Sequence, residues 1–133
     1  MGNNGAATKT HAKDIAAAQQ NLLRTRALLD VFTAELDRDF PAPDKDCDDA
    51  TFDAWNEAYE QANLDRGGFK IQDARTAAED ALLSTFGAWI RSLKSPSPAL
   101  IEVLDLAGKR YTVRVKLLDM AMKLDTRTLW MVS

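Results

Sequence analysis

Over its first two thirds the chain repeats apolar residues with a helical period. Ile15, Leu22, Leu29 and Leu36 stand seven apart, and Ala18, Phe32 and Phe40 join them on one stripe at 100° per residue. This predicts a first helix from about Lys13. It ends at Pro41-Ala42-Pro43, because a proline disfavours the helical conformation of the residue before it. Leu28 and Val31 fall outside the stripe, so this helix should contact two neighbours. A second helix is expected from Asp48 or Asp49, either of which can cap free N–H groups, with Phe52, Trp55, Tyr59 and Ala62 inward. Gly67-Gly68 should stop it, since glycine takes the left-handed conformation beyond a helix end without strain. A third helix is expected over 70–93, with Ile71, Ala74, Ala78, Leu82, Phe86, Trp89 and Leu93 on one face and Gly87 at a close approach. Residues 1–11 carry no apolar period and read as a disordered tail.

Beyond Ser95-Pro96-Ser97-Pro98 the composition changes. Sixteen of the 21 alanines lie between Ala12 and Ala88, whereas 99–133 carries eight β-branched residues: Ile101, Val103, Thr112, Val113, Val115, Thr126, Thr128 and Val132. Alanine favours helix, and β-branched side chains suit a pleated surface. Leu100–Leu106 and Arg110–Leu117 flank a turn signal at Gly108 and predict an antiparallel β-hairpin, with Thr126–Val132 as a third strand. The expected fold class is therefore α+β, mostly helical: a single domain over 12–133, helical at 12–94 and β at 99–133.

Composition narrows the class. The chain has 133 residues, 46% hydrophobic and 28% charged, which suits one globular domain. The longest uncharged stretch, Ala81–Ile90, is half of what a membrane span requires, so no membrane contact is expected. The N-terminus lacks the apolar run of a signal peptide, there is one cysteine, and no Asn-x-Ser/Thr acceptor occurs. These features suit a reducing, cytoplasmic setting.

Motifs for phosphate, dinucleotide, zinc-protease or serine-hydrolase chemistry are missing from the sequence, and neither catalysis nor a cofactor is expected. His11 lies in the expected tail. Cys47 sits among Asp44, Asp46, Asp48 and Asp49, which disfavour a thiolate. Asp44, Asp46 and Asp48 match positions 1, 3 and 5 of a calcium loop, but position 6 is Asp49 instead of glycine and position 12 is Trp55 instead of glutamate. A helix-capping loop accounts for them, and no metal site is assigned.

Charge is the feature above background. Residues 1–29 carry a net +3, residues 30–60 a net −9 and residues 61–133 a net +3. Asp49, Asp53, Glu57 and Glu60 fall on one side of the second helix, away from its apolar stripe. With Asp39, Asp44, Asp46 and Asp48 they form the candidate partner-binding surface, suited to a basic protein. The alternative candidate is a basic hairpin face of Lys109, Arg110, Arg114 and Lys116, which would contact nucleic-acid phosphates. The pI near 5.1 runs against that alternative. A third use of the chain is as a structural or assembly subunit, a homodimer included, through Leu28, Val31 and Trp130.

The reading favoured by these features is a small, non-catalytic protein that binds a basic partner, such as the groove of a nucleic-acid-binding complex. In size and charge the chain is similar to small acidic inhibitors carried by phages and mobile elements, among them the anti-CRISPR proteins. That analogy implies an inhibitor occupying the place of phosphates, and it rests on no sequence motif.

Overall fold

The computed structural model describes residues 2–129. Five helices follow one another: α1 Gly2–Asp39, α2 Asp49–Asp65, α3 Gly68–Ser92, α4 Pro98–Ala107 and α5 Tyr111–Lys123. Among the described residues there is no strand. The three N-terminal helices end where the sequence signals place them. α1 stops before Pro41, Asp48 caps α2 by accepting the Thr51 N–H at 2.8 Å, and Gly67 turns the chain into α3 with φ of 79°. α1 spans residues from Gly2 onward, so the stretch read as a tail falls within its bounds.

The C-terminal part corrects the expected fold class: the fold of the described residues is all-helical, and the β-hairpin is a pair of helices. Ser97 and Pro98, read above only as a change of composition, form a helix start. The Ser97 hydroxyl accepts the Leu100 N–H at 3.4 Å, and Pro98 occupies the first turn, where its missing N–H is no loss. Gly108 does turn the chain, but as the end of α4: the Lys109 and Arg110 N–H groups donate to the Leu106 carbonyl at 2.9 and 2.8 Å. The alternation of Tyr111, Val113, Val115 and Leu117 imitates a strand. What is buried instead is Leu117, Leu118 and Ala121, one side of a helix. Burial on that side overrides the β preference of the valines. The expected third strand is also absent over 126–129. There Asp125 organises a turn, accepting the Arg127 N–H on its carboxylate at 3.0 Å and the Thr128 N–H on its carbonyl at 3.1 Å. Trp130, Met131 and Val132 lie outside the described residues.

The chain divides into two compact units, Met1–Leu22 with Ala77–Ser133, and Leu23–Thr76. The first holds the main core. Ile15 and Leu22 of α1, Leu82, Phe86 and Ile90 of α3, and Leu117, Leu118 and Ala121 of α5 are all buried together, closed by Leu129. Gln19 of α1 donates its side-chain amide to the Ala121 and Leu124 carbonyls at 2.8 and 2.9 Å, satisfying the free carbonyl end of α5. The second unit is thinner. Among its described residues Leu36 and Ala62 are the buried apolar side chains of a hairpin made by the C-terminal half of α1 and α2, with the first turns of α3.

Candidate functional site

The acidic segment lies within the second unit, and aromatic residues set its geometry. Phe52, Trp55 and Tyr59 stack in sequence along α2, with ring centroids 5.6 and 5.3 Å apart. The Trp55 indole N–H donates to the Phe40 carbonyl at 2.9 Å, and the Tyr59 hydroxyl donates to the Asp37 carboxylate at 2.7 Å. Accepting by Asp37 holds the Tyr59 hydroxyl protonated above its ordinary range. Arg66, just past α2, binds Asp39 at 2.8 Å and lies over the Phe40 ring at 5.5 Å. These contacts fix one side of α2 against the end of α1, so its opposite side faces outward.

The eight predicted acids separate into three groups. Asp49, Asp53, Glu57 and Glu60 are exposed and lie together, within an arc of about 80° on the outward side of α2. Asp39 and Asp48 are engaged elsewhere. The Arg66 guanidinium, then that of Arg38, lowers the Asp39 carboxyl below its ordinary value, and hydrogen bonds from Thr51 do the same to Asp48. Asp39 therefore completes an ion pair, and Asp48 caps a helix. Asp44 and Asp46 are exposed in the connecting loop, where the Asp44 carbonyl accepts the Cys47 N–H at 3.1 Å. Cys47 is free and half-buried. Among the described residues no group of three or more His, Cys, Asp or Glu side chains is placed to hold a metal ion.

Two residues of this surface escaped the sequence reading. Leu64 falls within the arc of the four acids, one turn beyond Glu60, and is 55% exposed, and Phe69, just beyond the Gly67 turn, is 55% exposed as well. With Glu57, Glu60, Gln61 and Asn63 they line a concavity of about 560 Å³. The signal for Leu64 was available: four turns of helix carry an aliphatic residue on the polar side, where the stripe of Phe52, Trp55 and Tyr59 gives it no place.

The four basic residues do not share one face, although Arg110 and Arg114 stand one turn apart, the Arg114 N–H donating to the Arg110 carbonyl at 3.0 Å. Lys109 and Arg110 sit in the turn before α5, and Lys116 is exposed on it. Arg114 reaches α3, pairing with Asp80 at 2.7 Å and Glu79 at 3.6 Å, with its side chain 23% exposed. On a strand, residues 114 and 116 would share a face. On a helix they stand about 200° apart. Arg114 instead lines a cleft of about 230 Å³ with Asp80, Ser84 and Arg91, and Arg91 is itself paired with Asp105 at 3.2 Å. Both guanidinium groups of that cleft are thus already neutralised by carboxylates. Among the described residues no helix is long and apolar enough to cross a membrane. Compared with known proteins, the chain matches no family model, no curated protein and no solved structure.

Proposed function

We propose that this chain is a non-catalytic binding protein whose outward α2 face engages a basic protein segment. One observation carries the reading: Asp49, Asp53, Glu57 and Glu60 form an exposed stripe along α2 that leads to a concavity lined by Glu57, Glu60 and the half-exposed Leu64 and Phe69. A purely solubilising face has no use for two large apolar side chains held half in water. A face that meets a cationic, partly apolar segment uses both, the carboxylates for encounter and orientation and the apolar floor for retention. Occupation of a groove that otherwise receives phosphates, as acidic inhibitors do, is the form of this activity that the charge suggests.

The test is fluorescence anisotropy with a labelled lysine-rich amphipathic peptide, run beside mixed-sequence duplex DNA. Peptide binding is expected to weaken steeply with salt and to fall at least about tenfold in Asp53→Lys/Glu57→Lys, largely through the association rate. Micromolar binding of DNA that is lost in Arg114→Glu and survives reversal at Asp53 would replace this reading with the nucleic-acid one.

A further inference from the structure

The C-terminal half of α1 carries a second exposed surface, distinct in composition from the acidic face. Arg24, Leu28, Val31 and Glu35 are spaced four, three and four residues apart, which sets them in one strip within about 60° of arc and roughly 16 Å long. All four are exposed, Leu28 to 56% and Val31 to 57%. The strip has a cation at one end, an anion at the other, and two branched apolar side chains between them. Its symmetry is the informative part. Arg24 and Glu35 have their midpoint between residues 29 and 30, and so do Leu28 and Val31. A two-fold axis through that point, perpendicular to the helix, therefore sets Arg24 against the partner's Glu35 and Leu28 against the partner's Val31, and the same contacts recur in reverse.

We infer that this strip is the seam of an antiparallel homodimer in which α1 lies against α1 of a second copy. Self-complementarity about one axis is what an isologous contact requires, and a foreign apolar segment would not call for it. The charges also choose the direction. A parallel pairing sets Arg24 against Arg24 and Glu35 against Glu35, so it is disfavoured by like-charge repulsion at both ends. Ala27 and Ala34 flank the strip and leave room for close approach of the two helices. Next to Leu28, a shallow apolar groove of about 160 Å³ between α1 and α3, lined by Thr25, Leu28, Lys70, Ile71 and Ala74, gives the partner's Val31 a place to enter.

One pair of short helical stretches buries less than a standard interface, so a dimer with a dissociation constant of roughly 1–100 μM is expected. Sedimentation equilibrium of the full chain across that range reads it directly. Arg24→Glu and Glu35→Arg are each expected to weaken dimerisation about tenfold or more, since each sets like charges opposite. The double variant, in which the two charges have exchanged places, should return to within a few-fold of the parent. Val31→Asp should abolish the dimer, and far-UV circular dichroism should show all these variants folded, as each changed side chain is exposed. A chain that stays monomeric through the range overturns the inference. So does a dimer indifferent to Val31→Asp, or a double variant as weak as the singles.

Discussion

At the scale of single residues, two tryptophans give opposite expectations for the same substitution. The Trp55 indole N–H donates to the Phe40 carbonyl at 2.9 Å, where α1 has ended and that carbonyl has no helical partner. The Trp89 indole nitrogen is buried with no hydrogen-bond partner among the described residues, although its ring meets Phe86 edge-on at 5.8 Å. Trp55→Phe removes a donor and leaves an acceptor unmet, so it is expected to cost about 1–2 kcal/mol. Trp89→Phe removes some ring area together with an unsatisfied polar group. These oppose each other, and the change is expected to stay within about 1 kcal/mol of zero. Urea denaturation of the two variants checks the contrast, and equal losses would show that ring area alone governs both positions.

At the scale of elements, Gly87 shows how one helix is fitted to another. It is buried in the C-terminal part of α3, and a Cβ placed there would lie 3.8 Å from the Leu104 side chain of α4 and 3.0 Å from the end of the Arg91 side chain. The first distance is ordinary contact. The second is relieved by a swing of Arg91, whose surface ion pair with Asp105 contributes little. Gly87→Ala is therefore expected to stabilise by about 0.5–1 kcal/mol through helix propensity, whereas Gly87→Leu should destabilise by driving into Leu104. Thermal denaturation of both variants separates close approach from mere tolerance. The close approach expected at Gly87 is thus an ordinary contact, whereas the ends of α1 and α2 were legible in the sequence, because proline, Asp48 and Gly67 act locally. The helices α4 and α5 were not. Their valines favour a strand locally, and the alternation over 111–117 fits one. The choice is made by Leu117, Leu118 and Ala121 meeting the rest of the core, contacts remote in sequence. The local clue that did exist, Ser97 before Pro98, was outweighed by composition. The candidate site divides in the same way. Asp49, Asp53, Glu57 and Glu60 were readable from helical spacing, while the engagement of Asp39 by Arg66 depends on residues 27 apart. Lys116 parts from Arg110 and Arg114 once the strand becomes a helix, and Arg114 is engaged by Asp80 of α3.

At the scale of the whole molecule, burial is distributed unevenly. The unit of Met1–Leu22 and Ala77–Ser133 holds Ile15, Leu22, Leu82 and Leu117 at 1% exposure or less. The unit of Leu23–Thr76 relies on Leu36, Ala62 and the aromatic contacts of α2, and it leaves Leu28, Val31, Phe52, Leu64 and Phe69 about half exposed. Apolar burial is the main source of stabilisation, so local stability should follow this distribution. Native-state hydrogen exchange is expected to find the slowest amides around Ile15, Leu82 and Leu118, and faster exchange along α2, where Ala62 is the buried side chain. Leu82→Ala should cost about 2–5 kcal/mol and lower the protection of the slowest amides by the full amount. Leu64→Ser, by contrast, removes a side chain already half in water and should leave the pattern unchanged. Protection of α2 equal to that of the segment around Leu82 would mean that the second unit draws its stability from something other than its own buried surface. A self-associating chain supplies such a source, and the two causes separate by dilution: protection that comes from a second copy falls with protein concentration, and protection intrinsic to the unit does not.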